Sequence, residues 1–181
     1  MYIIGGKLKG KKLASCKTDS IRPAMALVRK SIFDTLQNFI EDTNVLDLCA
    51  GSGVLGIESL SRNAKTLTLI DSDRESIRLI RKNLKLCNVN AKVIHGALPK
   101  ALNKLKDEKF DLIFLDPPYG KSHFIEETLK KLYSNEMLAK GGLILIESEL
   151  KSNYKIPKEL AVYKEKKFGN TKITFLKQAI I

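Results

Sequence analysis

The feature that most constrains the fold is an alternation of short apolar runs with amphipathic stretches between residues 44 and 149. The apolar runs read NVLDLCAG, TLTLID, AKVIHG, FDLIFLD and GGLILIESE. Such runs are typical of strands buried on both faces of a parallel sheet, and their alternation with helices is typical of βαβ units. The middle of the chain is therefore predicted to form an α/β sheet that is covered by helices on both faces.

The two ends of the chain predict smaller units attached to this core. The C-terminal stretch has two β-like runs around Gly169-Asn170, which indicates a hairpin, and the first residues predict a short hairpin turning near Gly5-Gly6. We expect one domain over 181 residues. It would comprise a basic hairpin and helix in 1–40, a cofactor and catalytic core in 41–150 and a closing hairpin in 151–181.

A helix is predicted within the N-terminal unit, in RPAMALVRKSIFDTLQNFI. It should open at Pro23, because proline suits the first turn of a helix. Apolar residues recur along it at roughly helical spacing, and the expected buried stripe is Leu27, Ile32, Leu36 and Phe39.

Composition narrows the class of protein. Hydrophobic residues make up 44% of the chain, which is enough for a sizeable core. No apolar run approaches a membrane span, and lysines follow the first apolar patch rather than precede it, so we expect a cytoplasmic protein without a membrane partner. The cysteines, Cys16, Cys49 and Cys87, form no CxxC pair, which argues against a disulfide framework or a zinc site.

Positive charge is concentrated at both ends. The formal net charge is +12; the first 30 residues carry +7, residues 151–181 carry +6, and the middle carries −1. Basic ends on a near-neutral core indicate contact with a polyanion. The alternative is a compositional bias towards lysine on an ordinary solvated surface, because lysine far outnumbers arginine.

A glycine-rich turn follows the first core strand. In DLCAGSGVLG, Gly51, Gly53 and Gly56 have GxGxxG spacing between a predicted strand and a predicted helix. Glycine permits a tight turn and close approach of a ligand, and the helix N-terminus offers free N–H groups. Asp71 ends the next strand, 20 residues after Gly51, where its carboxylate can accept both ribose hydroxyls. The pattern predicts a nucleoside ligand, against the alternative of a turn that binds nothing.

Asp47, four residues before Gly51, discriminates between nucleoside ligands. A dinucleotide would bring its pyrophosphate close to this carboxylate, whereas S-adenosylmethionine carries an ammonium, a sulfonium and no phosphate. Opposite charge favours the second ligand. The simpler alternative is a strand-end acid without a ligand role.

The fourth predicted strand ends in Asp116, Pro117, Pro118 and Tyr119, which are the predicted catalytic residues. Ligands of parallel α/β sheets lie beyond the carboxyl ends of the strands, and the fourth strand can lie beside the first. Because proline lacks a backbone N–H, the segment offers acceptors, namely the Asp116 carboxylate and the Pro117 carbonyl. These acceptors suit an exocyclic amine, and Tyr119 offers a flat face for a stacked base. The alternative is a rigid loop after a buried strand.

Together these motifs resemble a known family. DLCAGSGVLGIE with DPPY resembles class I S-adenosylmethionine-dependent methyltransferases that act on amino groups. With IIGGKLKGKKL, IRPAMALVRKSIFDTL, IESE and FGNTKITFL, nearly the whole chain is similar to the bacterial 16S rRNA guanine-N2 methyltransferases, the small-subunit rRNA methyltransferase D type. The resemblance implies a Rossmann-like, seven-strand mixed sheet with one antiparallel strand. It also implies methylation of a guanine N2 amine in 16S rRNA, within the small ribosomal subunit or its assembly intermediate.

The predicted site combines the motifs with this resemblance, and no metal is expected. The cofactor contacts are expected at Asp47, Ala50, Gly51, Gly53, Asp71, Ser72, Gly96, Ala97 and Asp116. HGAL lacks the acid or amide that is common after the third strand, so adenine is expected against the backbone of Ala97, with His95 as an exposed strand-end residue. Two positions depart from the family pattern, which usually has threonine and an acid where this chain has Ala24 and Lys30.

The predicted mechanism stacks a flipped guanine on Tyr119 while its 2-amino group donates to Asp116 and the Pro117 carbonyl. The nitrogen then attacks the methyl group in line, and the enzyme contributes positioning and a matched electrostatic site. The protein is expected to act as a monomer. The candidates for contact with the RNA backbone are Lys7, Lys9, Lys11, Lys12, Arg22 and Arg29.

Other functions remain open at this point. The DPPY chemistry also serves methyltransferases that act on DNA adenine, another RNA base or protein glutamine. A dinucleotide oxidoreductase is opposed by Asp47 and DPPY, and a non-catalytic RNA-binding assembly factor would bind no cofactor.

Overall fold

The computed structural model describes residues 1–15, 23–118 and 120–179. The strands are β1 (Asn44–Leu48), β2 (Thr66–Asp71), β3 (Lys92–His95), β4 (Phe110–Leu115), β5 (Leu138–Glu149), β6 (Leu160–Phe168) and β7 (Thr171–Gln178). The α-helices are α1 (Pro23–Leu36), α2 (Val54–Ser61), α3 (Arg74–Cys87) and α4 (Ser122–Ser134). Within the described ranges, no helix is both long and apolar enough to cross a membrane.

The strands form one seven-stranded sheet in the order β3-β2-β1-β4-β5-β7-β6. The first five strands pair in parallel, and β7 is antiparallel to both of its neighbours. This arrangement confirms the Rossmann-like mixed sheet with one antiparallel strand. Because β1 and β4 are neighbours, with Leu48 opposite Leu115, the glycine turn and the Asp116 segment emerge side by side.

Helices cover both faces of the sheet and enclose two apolar cores. One core includes Phe33 of α1, Ile57 of α2 and Ile80 of α3. The other includes Leu129 of α4 and residues of a short 3-10 helix, Lys100–Leu105. The predicted coverage of both faces is therefore confirmed, because apolar side chains of the strands alternate between the two cores.

The buried stripe of α1 differs from the predicted one. Ile32 and Leu36 are buried as expected, but Leu27 is 59% exposed and Phe39 lies beyond the end of the helix. Val28 and Phe33 are buried as well. The buried face therefore keeps the centre of the predicted stripe and differs from it at both ends.

The N-terminal arm, residues 1–15, is a short hairpin, as predicted, with a wider turn that contains a 3-10 helix, Gly6–Leu8. Its two sides meet at an isolated bridge between Tyr2 and Lys12 and through backbone hydrogen bonds such as the one from the Ile3 N–H to the Lys11 carbonyl at 3.0 Å. Ile3 and Leu13 are buried in the core that α1, α2 and α3 cover. Packing of these two side chains anchors the arm to the body of the protein.

Candidate active site

Four carboxylates form a row on one face of the sheet where neighbouring strands end, and we call them the acidic row. They are Asp71 of β2, Asp47 of β1, Asp116 directly after β4 and Glu147 of β5. Each lies two residues after an apolar side chain in the core that α1, α2 and α3 cover, namely Leu69, Val45, Phe114 and Leu145. Because side chains alternate along a strand, the four acids share that face.

The three glycines of the turn are required for different structural reasons. Gly51 has a φ of 56°, and among the residues that the structure describes no atom lies within 4 Å of the position that a Cβ would take. A Cβ on Gly53 would lie 3.0 Å from Leu69 Cδ2, and one on Gly56 would lie 2.6 Å from Leu67 Cδ1. Gly53 and Gly56 therefore let α2 pack against β2, whereas Gly51 leaves open space that a ligand can enter.

Asp71 holds the glycine turn from the neighbouring strand. Its Oδ2 accepts a hydrogen bond from the Gly51 N–H at 2.8 Å, and its Oδ1 accepts from the Asp73 N–H at 2.9 Å. A carboxylate has about four acceptor sites, so both oxygens can still accept from a ligand hydroxyl. The side chain predicted to hold a ribose therefore also fixes the turn beside it.

The other predicted cofactor contacts surround this carboxylate. The Gly96 N–H donates to the backbone carbonyl of Asp71 at 2.9 Å, and His95 Nε2 lies 2.9 Å from the carbonyl oxygen of Ser72. Ala97 is exposed beyond the end of β3, and the Ala50 N–H donates to the carbonyl of Ile70 at 3.1 Å. His95 is exposed at its strand end, as expected. The ends of β1, β2 and β3 thus gather these positions at one edge of the sheet.

Asp47 lies beneath the glycine turn and is only 1% exposed. Its Oδ2 accepts a hydrogen bond from the Gly56 N–H at 3.0 Å. Burial, together with the charge of Asp71, raises the pKa of Asp47 to about 7, although the hydrogen bond from Gly56 opposes the shift. A carboxylate so placed is predicted to influence a ligand above the turn through its electrostatic field rather than by direct contact.

Asp116 and Glu147 form a neighbouring pair of acids in the acidic row. Leu115 is opposite Ile146 across β4 and β5, so the next residues, Asp116 and Glu147, are also opposite each other. Burial, followed by the charges of Glu147 and Asp47, raises the pKa of Asp116 well above its ordinary value, and burial raises the pKa of Glu147. A cation at this position would stabilise the ionised carboxylates and lower both pKa values.

The segment after Asp116 is described only in part. Pro117 is buried and Pro118 is exposed, whereas Tyr119 lies outside the described residues. The Asp116 N–H donates to the carbonyl of Leu48 at 3.4 Å, which keeps the start of the segment beside β1. The structure thus brings Asp116 and Pro117 to the same edge as the glycine turn.

Glu147 is a residue of this cluster that sequence reasoning did not assign. It belongs to IESE, which contributed to the family resemblance without a role for its first acid. Its position could have been found from the sequence, because Leu143, Leu145 and Glu147 alternate along β5 and therefore lie on the same face of the strand. The same alternation on β4 leads to Asp116.

The N-terminal arm carries four exposed lysines, Lys7, Lys9, Lys11 and Lys12. Polar side chains of α2 hold the arm in place: Glu58 Oε2 accepts from the Ile4 N–H at 2.8 Å, and Ser61 Oγ accepts from the Leu8 N–H at 2.9 Å. The lysines are therefore presented from a backbone that is fixed against the body of the protein.

Arg29 is placed differently from the prediction that it contacts RNA. It is 8% exposed, and its Nη2 donates to the Tyr2 carbonyl at 2.7 Å. Burial lowers the pKa of Arg29, and the charge of Glu58 opposes that effect. The prediction for Arg29 is wrong, because its guanidinium ties α1 to the N-terminal arm and is not presented to a ligand.

Three further positions from the sequence analysis have simple outcomes. Arg22 and the side chain of Ala24 lie outside the described part of the chain. Lys30, where the family pattern has an acid, forms an exposed ion pair with Asp34 one turn along α1, with Nζ and Oδ2 2.6 Å apart.

Comparisons with known proteins agree over almost the whole chain. A family model described as Conserved hypothetical protein 95 matches residues 1–177. Ribosomal RNA small subunit methyltransferase D of Buchnera aphidicola is 35% identical over 92% of this chain and 87% of the relative. The protein of that name from Escherichia coli is 36% identical over 92% of this chain and 84% of the relative. The solved structure of yhhF from Escherichia coli, which bears a methyltransferase name, has a TM-score of 0.86 at 33% identity and covers 100% of this chain and 99% of that one.

The sheet order, the glycine turn after β1 and the Asp-Pro-Pro segment after β4 define a Rossmann-like methyltransferase. Within that class, the chain belongs to the family described as Conserved hypothetical protein 95, together with the ribosomal RNA small subunit methyltransferase D proteins.

Proposed function

We propose that this protein methylates the exocyclic N2 amine of a guanine in 16S rRNA of the small ribosomal subunit, with S-adenosylmethionine as the methyl donor. The observation that carries the proposal is the position of Asp116 and Pro117 at the end of β4, directly beside the glycine turn that follows β1. A nucleoside-bearing donor and an amine acceptor can therefore meet at one edge of the sheet.

The donor suits the residues at this edge. Open space over Gly51 admits a ligand close to the backbone, and Asp71 is positioned to accept hydrogen bonds from ribose hydroxyls. The acidic row favours a ligand with positive charge, whereas a pyrophosphate would be repelled. S-adenosylmethionine would supply an electrophilic methyl group on a cationic sulfur. The N–C bond would form as the C–S bond breaks, the neutral thioether would leave, and one amine proton would pass to Asp116 or to water.

The protein's own groups hold and orient the acceptor amine. The Asp116 carboxylate and the Pro117 carbonyl accept its two N–H bonds, which turns the nitrogen lone pair away from them and towards the methyl group. The ionised form of Asp116 is the acceptor, and positive charge nearby favours that form. Tyr119 provides the stacking face for the base in this proposal.

The rRNA substrate is supported by the relatives and by the charge. The curated relatives named for ribosomal RNA of the small subunit match 92% of this chain. Exposed lysines on a fixed arm are suited to phosphate contacts, which set affinity and position more than sequence. The guanine N2 target follows from the family resemblance of the motifs.

A nucleoside digest tests the proposal directly. Purified protein would be incubated with methyl-labelled S-adenosylmethionine and one of three substrates: small subunits that lack the modification, naked 16S rRNA or DNA. We expect label only with a ribosomal substrate, recovered as N2-methylguanosine after digestion. Label in methyladenosine or in DNA would contradict the target, and absence of transfer with absence of cofactor binding would favour an assembly factor.

Two substitutions at Asp116 test the acceptor role. Asp116→Ala removes the acceptor and should abolish transfer while leaving cofactor affinity within about a few-fold, because Asp71 and the glycine turn remain. Asp116→Asn keeps one acceptor oxygen, so it should retain part of the activity that the alanine variant loses. Turnover by Asp116→Ala at the wild-type rate would remove this carboxylate from the mechanism.

A further inference from the structure

Asn83 of α3 bridges the N-terminal arm and the glycine turn. Its side chain is fully buried. The side-chain Nδ2 donates to the carbonyl of Ala14 at 3.0 Å and to the carbonyl of Ser52 at 2.9 Å. The Oδ1 accepts from the Ala14 N–H at 2.8 Å. One amide therefore ties the arm that carries the lysines to the residue between Gly51 and Gly53.

The helix α3 does not need an amide side chain at position 83 in order to form. The helix α3 has its own caps: the Asp73 side chain accepts from the Ser76 N–H, and Asn88 ends the helix in a left-handed conformation. Position 83 lies on the buried face with Ile80 and Leu84, where an apolar side chain would pack without any need for partners. A buried amide is costly unless it is hydrogen-bonded, so its three bonds are the feature that needs explanation.

The polar side chains that hold the arm to α2 do not contact the glycine turn. Glu58 and Ser61 bond the arm to α2 through Ile4 and Leu8, at the far side of the arm's turn from Ala14. Asn83 contacts the arm at Ala14, near the end of its second side, and reaches the glycine turn with the same amide group. If the Ser52 carbonyl shifted on ligand binding, the Asn83 amide would shift with it and would change the hydrogen bonds to Ala14.

We propose that Asn83 is a positioning residue that couples cofactor binding to RNA binding, which rests on the function proposed above. A cofactor over Gly51 restrains the glycine turn, and through Asn83 it restrains the arm that presents Lys11 and Lys12.

Glu58 and Ser61 fix the arm at Ile4 and Leu8, so the part that the cofactor can still restrain is the second side of the arm, which leads to Ala14. RNA that binds after the cofactor has less of this freedom to remove, so it binds more tightly than it would without the cofactor. By linkage, bound RNA strengthens cofactor binding by the same factor.

The test measures this linkage with S-adenosylhomocysteine, which occupies the cofactor position without transferring a methyl group. The dissociation constant for small subunits that lack the modification is measured with and without saturating S-adenosylhomocysteine. For the wild-type protein we expect tightening by about five-fold or more. Asn83→Ala should reduce the ratio to near one, and Asn83→Asp, which lacks both N–H donors but keeps the acceptor for the Ala14 N–H, should do the same.

Ser61→Ala is the matched control, because it also removes a polar anchor of the arm but does not touch the glycine turn. It should lower RNA affinity with and without the cofactor product and keep the wild-type ratio. Thermal unfolding identifies any variant that fails to fold, and the aspartate variant replaces Asn83→Ala in that case. An unchanged ratio in folded Asn83 variants would overturn the coupling, as would a wild-type ratio of one. Failure of the wild type to bind either ligand would instead contradict the proposed function.

Discussion

The same residue type has different properties at neighbouring strand ends. Asp71 accepts two backbone N–H bonds at the rim of the site, whereas Asp47 is almost completely buried with one such bond. Burial without enough hydrogen bonds makes the charged form costly, which raises the pKa of Asp47 to about 7. Its ionisation therefore falls within the pH range in which an enzyme of this class would work.

Asp47→Asn should change how stability depends on pH. The folded state raises the pKa of Asp47 from 3.8 to about 7, so ionisation of the unfolded chain lowers stability as pH rises through that window. The loss is complete above the folded pKa and amounts to roughly 4 kcal/mol, at about 1.4 kcal/mol per pH unit. Asparagine keeps an acceptor for the Gly56 N–H and does not ionise, so the variant should gain stability relative to wild type across the window.

Urea unfolding at several pH values between about 4 and 8 checks this expectation. The quantity that matters is the difference in free energy of unfolding between the variant and wild type, because acids far from Asp47 contribute equally to both curves. Asp116 adds to the difference in the same direction, because the charge of Asp47 raises its pKa in the wild type. Parallel curves would mean that Asp47 ionises in the folded protein as it does in the unfolded chain.

Motifs predicted some site residues, but residues without a motif were missed. Gly51, Asp71 and Asp116 were predicted because each follows a buried strand in a recognisable pattern, and the structure gathers them at one edge. Asn83 and Glu147 were missed, because a lone polar residue in a helix or strand resembles a solvated one until its neighbours are known. Arg29 was wrongly assigned for the converse reason, since its burial depends on packing of the arm against α1.

At the scale of elements, the strands were predicted, whereas the arm was predicted only as a hairpin without its contacts to the body. A continuous apolar run needs no partner to be recognised, so the five core strands were identified from the sequence, and the last two were identified from the turn at Gly169-Asn170 between them. The turn of the arm depends on contacts with α2, in which Glu58 and Ser61 are buried although their residue types suggest a surface. Those contacts join residues more than 50 positions apart, and local spacing cannot reveal them.

Gly6 and Gly10 offer a matched comparison of how closely the arm docks on α2. Both have positive φ, 71° and 83°. A Cβ on Gly6 would lie 1.9 Å from the backbone oxygen of Ser61, whereas one on Gly10 would meet no atom of the described part of the chain within 4 Å. Gly10→Ala should therefore cost only the left-handed backbone, about 1–2 kcal/mol. Gly6→Ala should cost clearly more, because the arm must move off α2 and expose Ile3.

The free energies of unfolding of the two variants, measured in urea, make the comparison. Limited proteolysis should cut within the arm of the Gly6→Ala protein sooner than in the Gly10→Ala protein, since only the first is displaced. Equal losses in both variants would indicate that the arm does not rest against Ser61.

In the whole molecule, negative and positive charge are concentrated in different places. The acidic row lies at the carboxyl edge of the sheet, whereas the lysines lie on the N-terminal arm, which is bonded to α2 and α3. A molecule with this arrangement can attract a phosphate backbone to the arm while its cleft favours a cation. The net charge of +12 alone could not distinguish this arrangement from a uniformly basic surface.

Neutralising the lysines of the arm tests the polyanion surface. Replacement of Lys7, Lys9, Lys11 and Lys12 by glutamine should weaken RNA binding and flatten its dependence on salt. Each lost phosphate contact lowers the slope of log K against log salt by roughly 0.7–0.9. Binding is measured over a salt titration with small subunits as the ligand.

A second quadruple variant removes the same amount of charge from exposed positions at the amino edge of the sheet: Lys65, Lys106, Lys109 and Lys140. We expect its salt slope to stay near that of the wild type. If both variants lose the same slope, net charge and not the arm governs association.

The acidic row also bears on repeated turnover. With the proposed donor, methyl transfer turns a sulfonium cation into a neutral thioether, while the four carboxylates remain where they were. Opposite charge therefore favours the cationic donor over the neutral product at this site. We expect the donor to bind more tightly than the product, and the difference to shrink as acidification neutralises Asp47 and Asp116, whose pKa values are raised.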